Sequence, residues 1–209
     1  MITMNYMISL KLKAETLGEV LADISCEIVD QVFGEISRLS TSSDRESEKV
    51  VQQILDTVRK YMPWSVSFFG NDRLTPMVNY LIEMAHEKND QYYISYQVDH
   101  VLVVELLGYV EQVKSGNSQY VSPALKAFTE MVDQGVTYLL REPKKMLKFN
   151  LVVDKTLNGV IHLTTQMGYK RLEKIGTYYD AQDTHRYLDH FLMFLNPKPK
   201  TDRSKNSET

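Results

Sequence analysis

Residues 91 to 114 read QYYISYQVDHVLVVELLGYVEQVK, and whether this stretch is a membrane span or an amphipathic helix decides the class of fold. Its longest apolar run, Val101 to Val110, is interrupted by Glu105 and Gly108 and falls short of the roughly 18 apolar residues that a membrane helix needs. At about 100° per residue, Val98, Leu102, Val103, Leu106, Val110 and Val113 form one broad stripe, while Gln97, His100, Glu105, Glu111 and Gln112 gather opposite. The spacing therefore predicts a helix over 91–114 with one buried face. Asp99 is the anomaly, because it falls inside the apolar arc between Leu102 and Val103. A buried carboxylate is costly unless paired or hydrogen-bonded, and such groups collect at functional sites. Tyr92, Tyr93 and Tyr96 are near enough to donate to it, so Asp99, Tyr96 and Tyr92 make a candidate ligand-binding group.

The same helical period runs outward along the chain. Seven helices are expected, over 16–39, 44–62, 76–88, 91–114, 123–140, 143–174 and 181–195, which makes the fold an all-α bundle with antiparallel neighbours. Thr16-Leu-Gly-Glu19 and Ser43-Asp-Arg-Glu46 have capping-box spacing. Thr75-Pro76 and Ser122-Pro123 place a cap residue before a proline at the first helical position, and Asp180 is placed to cap the last helix. Two segments alternate with period two instead. These are Ile2 to Leu12 and Trp64-Ser-Val-Ser-Phe68, which read either as a short β-ribbon or, for the first, as a frayed extension or early helix. A lone strand cannot satisfy its backbone, so a strand here would pair with the other segment or with a neighbouring subunit.

Ser40 to Ser43 and Ser115-Gly-Asn-Ser118 read as linkers, and Pro143 as a joint that ends one helix at Glu142. The longest non-helical connection expected is Tyr61 to Leu74. It separates an N-terminal segment and helical pair, 1–62, from a five-helix bundle, 63–196, packed with the first as one unit. Residues 197–209, proline-interrupted and polar, read as a disordered tail.

Composition narrows the class of protein. The 209 residues include 24 Lys and Arg against 27 Asp and Glu, a net charge of −3, with 43% apolar and 24% charged residues, which is a globular profile. A near-neutral, slightly acidic chain argues against general nucleic-acid affinity. The single cysteine, Cys26, allows no internal disulfide and sits among Ile24, Ile28 and Val32 as a core residue. With no basic leader or cleavage site at the N-terminus and no membrane span, a cytoplasmic location is expected.

Few residues are arranged for chemistry. Glu83-Met-Ala-His86 is one Glu-x-x-His, where a dinuclear carboxylate site needs two. His185 and Asp189, four apart on one helix, can chelate a single ion and are the candidate metal ligands. His162 lies on a polar helix face, as a phosphoacceptor would, without the small-residue and lysine pattern expected after it. His190 also projects to a polar side. No G-x-S-x-G elbow, phosphate-binding loop or Cys/His pair occurs, and no cofactor is expected. Lys144, Lys145 and Lys148 open the long helix at its N-terminus, where positive charge is disfavoured, and so point to an anionic partner. Ten Met and twenty Phe or Tyr residues suit irregular cores, pockets and partner surfaces alike.

The reading that follows is a non-catalytic interaction or regulatory module, homodimeric or bound to another protein, without nucleic acid or membrane. The alternatives are a small-molecule-binding helical domain with a Tyr, Phe and Met-lined pocket near Asp99, and a metal-dependent enzyme using His185 and Asp189.

Overall fold

The computed structural model describes residues 2–3, 14–34, 45–69, 71–88, 91–178, 181–193 and 195. Over them the chain is an all-α bundle with a small antiparallel sheet at its edge. The helices are α1 (Ala14–Val29), α2 (Arg45–Val66), α3 (Asn71–Met84), α4 (His100–Lys114), α5 (Val121–Val136), α6 (Glu142–Leu147), α7 (Leu151–Tyr178) and α8 (Ala181–Leu192). The strands are β1 (Ile2–Thr3), β2 (Ala85–Lys88) and β3 (Gln91–Ile94), in the order β1-β3-β2. Among the described residues no helix is long and apolar enough to cross a membrane.

Helix α2 shows why these sequences coil. Val51, Ile54 and Val66 are buried, and Gln52, Gln53, Asp56, Arg59 and Lys60 on the other side are exposed, the stripe that a period of 3.6 produces. The alternation at 64–68 is part of this helix and its last turn, not a strand. Trp64 and Phe68, four apart, meet edge to face at 4.9 Å, Val66 turns inward, and the hydroxyls of Ser65 and Ser67 donate to the carbonyls of Met62 and Trp64. A period of two over five residues also satisfies an i,i+4 contact. The expected long connection over 61–74 thus shrinks to the few residues between Val66 and Asn71. Pro76 lies inside α3 and does not open it.

The expected break at Pro143 is likewise absent. Glu142 keeps helical angles, and its amide donates to Thr137 O, five residues back, so the chain passes through a π-helical turn, Thr137–Arg141. That wider turn relieves the contact between the proline ring and the carbonyl four residues before it. The break comes instead at Lys148, which is left-handed (φ 48°, ψ 59°). Asn150 then starts α7 by accepting the amides of Val152 (3.1 Å) and Val153 (3.0 Å) on its side-chain oxygen. Lys144 and Lys145 consequently lie in the last turn of a helix, α6, where the macrodipole favours them, and not at the start of a long one.

Residues 85–88 and 91–94, expected to be helical, form the β2–β3 pair, with Ala85 opposite Ile94 and His86 opposite Tyr93. Ile2 and Thr3 add to β3 opposite Ile94 and Tyr93, so the described residues of the N-terminal segment pair with β3. Residues 4–13, the linker Ser40 to Ser43, Asp180 and the tail 197–209 lie outside the described residues.

Helices α1 and α2 run antiparallel, since Gly18 meets Pro63 while Cys26 Sγ lies 3.9 Å from Leu55 O. Cys26 is buried, which pushes its thiol pKa up. The largest core gathers Leu106 and Val110 of α4, Leu125 and Phe128 of α5, Leu172 of α7 and Leu188 of α8, with Phe33 and Val51 from the N-terminal part. A second holds Leu17, Val66, Met77, Leu81 and Leu147, and a third Ile24 and Ile94. Residues on both sides of position 62 share the first two cores.

Candidate functional site

Between the second and third cores the helices leave an elongated cavity of about 140 Å³. From α1 it is lined by Leu17, Val20, Leu21, Ile24, Ser25 and Ile28, and from α2 by Thr57, Val58, Tyr61, Met62, Ser65 and Val66. Leu157, Val160, Ile161, Thr164 and Thr165 of α7 form a third wall. Leu139, Leu140, Pro143 and Leu147 close one side, Met77, Val78 and Leu81 of α3 another, and Ile94 of β3 adds to the wall. The α1 wall alone, from Leu17 to Ile28, extends about 16 Å at 1.5 Å per residue, so the space is a slot.

Its origin lies in side-chain volume. Ser65 and Thr165 are 7% and 9% exposed, and occupy core positions where a Leu or Ile would fill the gap. The Thr165 hydroxyl is satisfied by Ile161 O at 2.8 Å and that of Ser65 by Met62 O at 2.8 Å. These polar atoms are therefore turned onto their own helices, leaving an apolar surface towards the slot. An apolar surface of this kind accepts apolar guests.

A second cleft of about 440 Å³ adjoins it at the α6–α7 break, lined by Arg141, Lys144, Lys145, Lys148, Phe149, Asp154 and Asn158. Lys144 and Phe149 line both spaces. The Lys144 side chain is only 11% exposed and pairs with Asp154, which also accepts from Asn158 Nδ2 at 2.9 Å. Lys145 pairs with Glu142 at 2.6 Å. Arg141 binds Asp133 in a fork, Nη2 to Oδ1 at 2.7 Å and Nη1 to Oδ2 at 2.9 Å, and Tyr169 donates to Asp133 Oδ1 at 2.6 Å.

The Arg141 hydrogen bonds hold the Asp133 carboxyl below the usual range against the opposing effect of its burial, and the Tyr169 bond adds to this. Burial, then the bond to Asp133, pushes the Tyr169 hydroxyl up. A depressed folded-state pKa stabilises the fold above the unfolded value and stops doing so as pH falls through the depressed one. Asp133→Asn is therefore expected to cost about 1 kcal/mol at pH 7, a screened figure because the pair is 34% and 42% exposed. The gap between wild type and variant closes on acidification, once the wild-type carboxyl takes up its proton. Urea denaturation at pH 7 and pH 3 measures this, and a gap that does not narrow between them contradicts it.

The residues expected to form the site are elsewhere. Asp99 is exposed and is the N-cap of α4, accepting the amides of Val101 (2.7 Å) and Leu102 (3.4 Å). It is not a buried helix residue, because α4 starts one residue after it. Tyr96 lies against Gly135 of α5 and stacks on Tyr138 at 5.9 Å. It is partly buried, and that burial raises its hydroxyl pKa. The side chain of Tyr92 lies outside the description. Neither Asp99 nor Tyr96 lines the slot.

His185 and Asp189 do come together, Nε2 to Oδ2 at 2.8 Å, but Asp189 is also held by Lys114 Nζ at 3.1 Å. Among the described residues no three His, Cys, Asp or Glu side chains are grouped to hold a metal ion. His162 is exposed on α7, as expected, and Glu83 and His86 are exposed on α3 and β2. The outer face of α4 carries exposed Val101, Val104 and Leu107.

None of the apolar slot residues was singled out by the sequence pattern as part of a site. The available signal was Ser25, Thr57, Ser65, Thr164 and Thr165, small polar residues set among the apolar positions of three helices. Comparison of the chain with family models, with curated proteins and with solved structures finds no match.

Proposed function

We propose that this protein is a non-catalytic binding module for an apolar small molecule, held in the slot between α1, α2 and α7. The observation that carries the reading is the slot itself, an elongated space of about 140 Å³ whose walls are mostly Leu, Ile, Val and Met. Largely preformed, mostly apolar cavities with a few polar groups at one end are where small ligands bind. This reading ranks above an interaction module because the exposed apolar stripe of α4, Val101, Val104 and Leu107, is short, and protein surfaces ordinarily carry this much apolar area. It ranks above a metal-dependent enzyme because Asp189 already neutralises Lys114.

Binding of N-phenyl-1-naphthylamine, a neutral dye that brightens out of water, provides the test. Saturable binding is expected for the wild type. Leu157→Trp, which projects an indole into the slot from a residue 6% exposed, is expected to weaken it at least tenfold, while the melting temperature stays or rises. A wild type that leaves the dye dark, or a variant that binds it as well, overturns the proposal.

A further inference from the structure

We infer that the ligand of the slot is a linear alkyl chain ending in a single negative charge, an alkyl carboxylate, whose head sits at the break between α6 and α7. The inference rests on the apolar-slot reading and adds the head group to it.

Three observations support it. The first is continuity, since Lys144 and Phe149 belong to both the slot and the basic cleft. A chain in the slot therefore has a polar exit at that end. The Lys144 stem runs along the apolar wall while its ammonium reaches Asp154, which is how lysine bridges apolar and polar surroundings.

The second is charge. Four cations line the cleft, and three carboxylates answer them: Asp133 at Arg141, Asp154 at Lys144 and Glu142 at Lys145. Among the described residues Lys148 has no acidic partner. Within the cleft one positive charge is left over beside Phe149, and the Arg73 guanidinium lies at the same turn, so the break is net positive and suits an anionic head. A cationic head would be repelled there, and a neutral one would gain little.

The third is the backbone. Lys148 is left-handed at φ 48°, where glycine or asparagine is the ordinary choice. Arg73 fixes the turn by donating to Leu147 O at 3.1 Å and Lys148 O at 3.3 Å. Backbone of this kind persists where surrounding contacts hold it, and here it places a charge next to Phe149, which lines the slot.

The length of the α1 wall favours a chain over a compact ring system, and a carboxylate is the smallest head that supplies one charge with two acceptor oxygens. The full-length chain is loaded with the naphthylamine dye and titrated with dodecanoate, 1-dodecanol and dodecyltrimethylammonium, each below its micelle concentration. Dodecanoate is expected to displace the dye at least tenfold more effectively than dodecanol, with the cation weakest, and the margin is expected to shrink in high salt. Lys148→Gly and Lys148→Gln both remove the charge but differ in backbone demand. Both are expected to cut the dodecanoate-to-dodecanol ratio below threefold, and Lys148→Gly also to raise the melting temperature. If dodecanoate and dodecanol compete equally in the wild type, the head-group inference fails and the apolar slot stands. If the dye binds but no alkyl probe displaces it, the linear-chain inference fails. If the dye itself does not bind, the slot reading fails first. A ratio unchanged in both variants removes Lys148 from the site.

Discussion

Leu172→Ala is expected to destabilise the protein by about 3–4 kcal/mol, or roughly 10 °C in melting temperature. Leu172 is 0% exposed on α7 and belongs to the core in which α4, α5 and α8 meet, with Leu106, Val110, Ala124, Phe128 and Leu188. Four helices converge there, so the walls cannot collapse onto an alanine without moving several elements at once. The cost therefore combines lost transfer free energy with a residual cavity. Leu163→Ala on the same helix is the control, since Leu163 is 66% exposed, and is expected to stay within about 0.5 kcal/mol of wild type. Chemical denaturation of both variants decides the matter. A loss below about 1 kcal/mol for Leu172→Ala would mean that α7 does not sit at the centre of that core.

The fold class was legible because the apolar positions of 91–114 and its neighbours recur at helical spacing. Leu102, Leu106, Val110 and Val113 are the buried face of α4, and Glu105 and Glu111 are exposed, as the wheel places them. Element boundaries were less legible, and two residues explain much of the error. Asp99 and Asn150 both fell inside expected helices and are in fact their N-caps. Short amide and carboxylate side chains compete with the helical backbone for its amides and so favour first turns over interiors. The prolines misled in the opposite direction. Pro63, Pro76 and Pro143 all lie within or at the very start of helices that continue past them, because tertiary packing on both sides outweighs one missing hydrogen bond. The strand β3 carried its own signal, Tyr92-Tyr93-Ile94 as strand formers, but it was absorbed into the following helical pattern.

The candidate site was less legible than the fold for a physical reason. A cavity is a deficit of volume between helices far apart in sequence, and no local period records it. Ser25 and Thr57, or Ser65 and Thr165, are unremarkable singly. They matter because antiparallel packing of α1 on α2, and of both near α7, sets small side chains beside one slot. The basic cleft was half legible. Lys144, Lys145 and Lys148 were singled out as a group facing an anion, but for their supposed position at a helix N-terminus, whereas they lie around a helix break.

Gly18→Val is expected to cost about 3 kcal/mol, because position 18 is where α1 and α2 come closest. A Cβ there would stand 2.6 Å from Pro63 Cα and 3.3 Å from Pro63 O. Both are backbone atoms, so no side-chain rotation relieves the contact and the helices themselves must separate. Pro63 cannot readily give way, since its fixed φ and the bond from Ser67 N to its carbonyl (3.0 Å) hold the last turn of α2. Gly159, on an exposed stretch of α7 with nothing within 4 Å of a built Cβ, gives the matched comparison. Replacing an exposed helical glycine by alanine ordinarily stabilises by about 0.5–1 kcal/mol, which is the outcome expected for Gly159→Ala. Gly18→Ala, the same chemical change, is expected to destabilise, with the sign reversed by Pro63 alone. The slot supplies a second measurement. Leu17 and Leu21 beside Gly18, and Met62 and Ser65 beside Pro63, all line the slot, so prying α1 from α2 widens it there and weakens dye binding in Gly18→Ala. Gly159→Ala leaves binding as it was. Equal stability changes in the two alanine variants would show that α1 and α2 are not in close contact at this point, and the slot between them would lose one of its walls.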